Sequence, residues 1–138
     1  MIEKIYSKIE TNELLHIVVR ASDVKNRIDI VPAEHFLQCA GLNLNNGDTF
    51  KAHKHLWKNG KEKVIAQESW IVVRGKVKCI FYDVDDTIIS TPILNPGDAS
   101  FTLLGGHTYE ILEDNTLVYE YKTGPYEGRE KDKETIDD

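Results

Sequence analysis

His53, His55, Glu68 and His107 are the residues of this chain whose types could do chemistry together. Three imidazoles and one carboxylate make a donor set that suits a borderline divalent transition metal. The set accepts Fe, Mn, Ni, Co, Cu or Zn without selecting among them. Four protein ligands on a six-coordinate ion leave two positions for water, oxygen or a bidentate substrate. Such an ion acts as a Lewis acid or lowers the pKa of its bound water. His53 and His55 are two apart, so on a β-strand both rings point to one face. For Glu68 and His107 to join them, the strands between must curl back on one another.

The elements that would do this are legible as short runs of β character. Strands are expected over 14–20, 36–44, 49–56, 64–74, 76–83, 88–94, 99–104, 107–113 and 116–122. Turn signals divide most of them. Asn45-Asn46-Gly47, Asn59-Gly60, Asp85-Asp86 and Asp114-Asn115 read as reversals. Asn95-Pro96-Gly97-Asp98 suits a type II turn, because proline presets φ and glycine accepts positive φ. No stretch after residue 35 holds a helical period over ten residues. An antiparallel sandwich or barrel is therefore predicted over a βαβ fold. Across 64–74, Glu68, Trp70 and Val72 share one face and Gln67, Ser69, Ile71 and Val73 the other. Neither face is fully polar, so the strand should be covered on both sides. A glutamate embedded there is costly unless paired or bound to a cation. Across 116–121, Leu117, Tyr119 and Tyr121 face one way and Val118 and Glu120 the other.

The chain has 138 residues, the size of one domain, and its hydrophobic fraction of 41% is enough for a packed core. Its net charge of -6 argues against general nucleic-acid binding, which needs a basic face. The N-terminus lacks the pattern of a secretion signal, and no apolar run reaches the ~20 residues that span a bilayer. A cytoplasmic protein without membrane or nucleic-acid partners is the expectation. Cys39 and Cys79 are then reduced core thiols. Residues 1–13 read as an arm, irregular or helical. Residues 14–127 read as the barrel domain. Residues 128–138 are nearly all charged, with Ile136 the only large apolar side chain, and are expected to project as a mobile end or a short appendage.

Gly47, five residues, His53-x-His55, a gap, Glu68, six residues and Gly75 resembles the first motif of the cupin family. Pro96-Gly97-Asp98, with His107 nine residues after the aspartate, resembles the second. The two motifs together cover about residues 36–122. The resemblance implies a double-stranded β-helix, or jelly-roll barrel, with His53, His55, Glu68 and His107 carried over as ligands of one divalent metal. It also implies a homodimer. The stretch from Gln67 to the Tyr126 region is similar to small cupins encoded among genes for bacterial surface-polysaccharide synthesis. The chain departs from the pattern twice. Twelve residues separate His55 from Glu68 where the family usually has three or four. Glu62 is nearer that count but sits at the expected turn and lacks the spacing to a glycine, so Glu68 is preferred. The proline expected before the last histidine is absent, and Leu103-Leu104-Gly105-Gly106 stands there.

Around such a centre, Glu110 and Gln67 are candidate acid–base or supporting groups. Trp70, Tyr109, Tyr119 and Tyr121 are candidates to line a pocket and stack on a sugar or aromatic ligand, although aromatic residues are more often plain core. His16 and His35 have no partners in the pattern and read as surface or satisfied core histidines. Cys79-Ile80-Phe81-Tyr82-Asp83-Val84-Asp85-Asp86-Thr87 resembles the first motif of haloacid-dehalogenase-type phosphatases, with Asp83 as nucleophile and Asp85 as acid. That fold needs a helix directly afterwards, yet Ile88-Ile89-Ser90-Thr91 continues as strand. An acidic hairpin tip is predicted instead. The expected function is that of a metal-dependent enzyme on a small polar metabolite such as a sugar or nucleotide sugar, by isomerisation, epimerisation or oxygenation. The alternative is a non-catalytic metabolite-binding cupin with a structural or sensory metal.

Overall fold

The structure is a computed structural model that describes residues 1–57, 65–125 and 128–137. Its elements are strands, with one helical turn near each end of the chain. In order they are β1 (Glu3–Tyr6), β2 (Leu14–Val18), β3 (Arg27–Asp29), β4 (Leu37–Leu44), β5 (His53–His55), β6 (Glu68–Arg74), β7 (Val77–Tyr82), β8 (Ile88–Ser90), β9 (Ile93–Leu94), β10 (Ala99–Thr102), β11 (Gly106–Ile111), β12 (Thr116–Thr123), α1 (Arg129–Asp132) and β13 (Lys133–Thr135). A 3-10 turn occupies Ala21–Asp23. Among the described residues no helix is long and apolar enough to cross a membrane.

Two antiparallel sheets face each other. One has the order β10-β6-β12-β4-β3; the other has the order β13-β5-β11-β7-β8, with β9 also paired to β7. The turns do what their residues dictate. Asp48 and Asp98 each donate a backbone N–H to the carbonyl of the asparagine three residues earlier, at 2.9 Å. Gly47 and Gly97 sit at φ +92° in those two turns, where a side chain would be strained. The aspartates also accept the N–H of Asn45 and Asn95, at 2.8 and 2.9 Å, locking both turns in the same way.

The core is the sum of the inward faces. Leu42, Trp70, Val72, Val77, Cys79, Leu94, Tyr109, Ile111 and Val118 form its main cluster. Along β6, Glu68, Trp70 and Val72 point inward. On its other face Ser69 is buried and Ile71 half-buried, but Val73 is exposed, so that face is only partly covered. Cys39 and Cys79 are both free thiols. Burial pushes each thiol up to about 11.

Both ends of the chain differ from the sequence reading. Residues 1–13 hold no helix: β1 pairs with β2 as a two-stranded ribbon. The charged segment expected to project is packed down. One turn of helix leads into β13, which adds to the edge of β5 with Lys133 opposite His55 and Thr135 opposite His53. Ile136 is then buried against Ala52 and Tyr82. Burying one such side chain contributes roughly 1.5–3 kcal/mol, enough to hold a short polar strand in place. The phosphatase-like segment is a hairpin between β7 and β8, as predicted. Asp85 accepts the N–H and hydroxyl of Thr87, at 3.1 and 2.6 Å, within the tip. Asn59-Gly60 and Glu62 lie outside the described residues.

Candidate metal centre

Three strands bring the four predicted ligands together. β5 carries His53 and His55, and β11 runs beside it with His107 opposite His53. Glu68 opens β6 on the facing sheet and crosses the interior to meet them. One ligand atom from each of the four residues lies within 4.8 Å of the other three. An ion with ~2.1 Å bonds spans ~4.2 Å between opposite ligands, so the cage is about half an ångström wide of a closed shell. The three rings stand edge to face, with centroids 4.9 to 5.7 Å apart.

The hydrogen bonds around the rings fix which nitrogens face the interior. His53 Nδ1 is 3.0 Å from the Lys51 carbonyl, a contact that requires the proton on Nδ1. His107 Nδ1 is 2.7 Å from the Thr102 hydroxyl and 3.3 Å from that of Tyr109. Asp132 Oδ2 stands 3.2 Å from His55 Nδ1, at ion-pair distance but off the line of a straight hydrogen bond. The Nε2 atoms of His53, His55 and His107 are buried without a hydrogen-bond partner. Two imidazoles hydrogen-bonded through Nδ1 and a third beside a carboxylate there, with Nε2 turned on the shared Glu68, are oriented as metal-bound histidines are. Buried polar atoms left unpaired in this way are costly, and a cation would satisfy all of them at once. The donor set and its orientation fit a divalent transition metal.

The electrostatics agree. His107 Nε2 is 3.0 Å and His55 Nε2 3.6 Å from the Glu68 carboxylate. Burial pushes that carboxyl up, but His107 and His55 outweigh burial and hold it well below the usual range. Burial pushes the His55 imidazole down, but Asp132 and Glu68 outweigh it and raise it to about 9. His53 is lowered to about 4 by burial, with His107 adding to the shift.

The centre opens into a cavity of about 370 Å³. Trp70 and Tyr109, from opposite sheets, stack at 3.7 Å and 6° and wall it off from the core. Both were expected at the site. Glu120, Lys122 and Lys133 also line the cavity and were not. Trp70 Nε1 donates to Glu120 Oε2 at 2.9 Å. Burial and the nearby Glu68 raise the Glu120 carboxyl.

Four candidates are placed elsewhere. Glu110 lies on the face of β11 opposite to His107 and Tyr109, across from Lys78 of β7. Gln67 is exposed, and its side-chain amide donates to the Leu103 carbonyl at 3.4 Å. Tyr119 and Tyr121 lie on the outer face of β12, because Val118 and Glu120 take the inner one. Tyr121 lines a separate surface groove with Leu15, Ile17 and Phe36. The missed Glu120 was visible in the β12 alternation. Asp132 and Lys133 carried no local signal beyond their nearness to Ile136.

Solved structures share this arrangement of strands. KdgF from Halomonas sp. matches with a TM-score of 0.58 and 18% identity, over 73% of this chain and 79% of that one. The capsular polysaccharide assembling protein CapF from Staphylococcus aureus matches with a TM-score of 0.64 and 18% identity, over 80% of this chain and 31% of CapF. A single-residue variant of oxalate decarboxylase from Bacillus subtilis matches with a TM-score of 0.60 and 16% identity, over 83% and 31%. All three are cupins. This chain has the cupin fold. The chain spans about a third of the length of CapF and of oxalate decarboxylase, and most of KdgF. It matches no protein-family model, and no curated protein matches it in sequence. Against the cupin motifs, Gly105 and Gly106 stand before His107 where a proline is expected. Gly105 holds φ +88°, and a Cβ at Gly106 would lie 2.2 Å from Ile136 Cδ1. His107 is aimed by a turn that packs onto the C-terminal segment.

Proposed function

We propose that the protein is a metal-dependent cupin enzyme acting on a small polar metabolite, a sugar or nucleotide sugar. The observation that carries this reading is the set of three buried Nε2 atoms, none of them hydrogen-bonded, that converge with the Glu68 carboxylate at the end of a cavity. His53, His55, Glu68 and His107 hold the ion. When bound, it supplies Lewis acidity and a water of lowered pKa. Asp132 and Thr102 orient two of the ligands. The stacked Trp70–Tyr109 pair offers an apolar wall to a sugar ring, and Glu120 stands in the same cavity as a carboxyl able to exchange a proton. The likeness to a capsular polysaccharide assembling protein supports a sugar substrate. A homodimer belongs to the same reading. Ile5, Leu15, Phe36 and Leu37 are exposed large apolar side chains, and sedimentation of the purified protein tests whether they are covered by a second copy.

The metabolite-binding alternative draws on the placement of Glu110 and Gln67, which removes two expected acid–base groups from the site. One experiment separates the readings. The purified protein is analysed for bound metals, then incubated with a panel of sugars and nucleotide sugars beside the double variant His53→Ala, His55→Ala. The enzyme reading expects a bound metal and a turnover that disappear together in the variant. Bound metal with no turnover across the panel favours the binding module. Wild-type protein that takes up none of the six metals overturns both.

A further inference from the structure

The cavity beside the metal centre is more cationic than a neutral sugar requires. Lys122 lies opposite Glu68 across the β6–β12 pair, and Lys133 lies opposite His55 across the β5–β13 pair. Directly opposed residues share a face of the sheet, so each ammonium stands beside a ligand of the centre, one from each sheet. Both side chains line the cavity. Lys122 is tied to Asp132 at 3.3 Å, with its side chain only 14% exposed. Lys133 is half-buried, and no carboxylate among the described residues comes within ion-pair distance of its ammonium.

The charges do not cancel once the ion is counted. A divalent ion, Lys122 and Lys133 outweigh Glu68 and Asp132 by two charges, and by one with Glu120 ionised. Arg27 is already paired with Asp29 at 3.1 Å and lies 3.8 Å from Glu120. The excess is local, since the whole chain carries -6. Half-buried charge that its neighbours only partly offset is unfavourable, and an anionic ligand group removes the imbalance.

We propose that Lys122 and Lys133 form an anion-binding subsite beside the metal centre, so that the ligand placed on the ion carries a carboxylate or phosphate group. This rests on the metal-dependent reading above and narrows its substrate to acidic or phosphorylated sugars. Lys133 holds the anionic oxygen directly. Lys122, bridged to Asp132, sets the position of that oxygen relative to His55.

Calorimetric titration of the metal-loaded protein with D-glucuronate, D-glucose 6-phosphate and neutral D-glucose tests this, with metal content measured on the same sample. One acidic sugar should bind at least about ten-fold more tightly than glucose, the scale of one charge-assisted hydrogen bond. Which of the two does so identifies the group as carboxylate or phosphate. Lys133→Gln should cut the preference by about ten-fold or more with the metal content unchanged, and Lys133→Glu should abolish it. Glucose binding as tightly as both acids, a preference that survives in Lys133→Gln, or no acid binding at millimolar concentration would each overturn the subsite. Wild-type protein that holds no metal marks the failure of the metal reading. The same titrations on that metal-free protein, where Lys122 and Lys133 balance Glu68 and Asp132, then read the placement of Lys133 alone: an acidic sugar should still bind more tightly than glucose, by less than in the loaded protein, and equal binding overturns the subsite.

Discussion

Asp132 reaches His55 from the last helical turn of the chain, its Oδ2 3.2 Å from Nδ1, while the same carboxylate oxygen lies 3.3 Å from Lys122 Nζ. Both side chains are 2% exposed. A carboxylate behind a ligating histidine fixes its ring and tautomer and raises its basicity. A segment that reads as solvated charge thus acts on the centre of the molecule.

Asp132→Asn keeps the shape and removes the charge. Metal affinity should fall by roughly 10- to 100-fold, the usual cost of losing a carboxylate behind a metal-bound histidine. Chelator competition measures it. An unchanged affinity would show that Asp132 serves only to bind Lys122.

Ile136→Ala tests the anchoring of β13. Ile136 is 3% exposed and packs with Ala52, which directly precedes the histidine strand, and with Tyr82 of β7. Truncating a buried isoleucine costs about 2–5 kcal/mol. Chemical denaturation should register that loss, and metal affinity should drop with it because β5 loses its edge partner. Stability lost without any change in metal affinity would separate the C-terminal strand from the site.

Metal uptake should release a proton at neutral pH. In the metal-free protein His55 is raised to about 9, burial being outweighed by Asp132 and Glu68, so at pH 7.5 its imidazole is charged. An ion can bind its Nε2 only once that ring is neutral. Affinity should therefore rise with pH from about 6.5 to 9 and level off above. The sign for folding is the reverse. The raised His55 stabilises the metal-free fold below its unfolded value of about 6.5, and that stability is lost as pH rises through 9. Calorimetry in buffers of different ionisation enthalpy counts the protons. Binding independent of buffer and pH would contradict this.

Much of the barrel was legible because strand alternation and turn chemistry are local. Gly47 and Gly97 marked two turns that close alike, and His53-x-His55 marked one face of one strand. Orientation was harder. On β12 the alternation was read correctly, but the inner face is the one with Val118, Glu120 and Lys122, and the two tyrosines lie outside. Lys122 beside Glu68 and Lys133 beside His55 are consequences of register between distant strands. No window of sequence contains that information. The C-terminal strand was hidden for a further reason: one isoleucine holds it, and a single apolar residue in a charged run gives no period to read.

The central claim is tested most directly by a crystal structure of metal-repleted protein, with anomalous data collected at the absorption edges of iron, manganese, nickel, cobalt, copper and zinc. A single anomalous peak bonded to the Nε2 atoms of His53, His55 and His107 and to the Glu68 carboxylate is the predicted result. No peak among those four side chains after repletion, or an ion held by other residues, would contradict it.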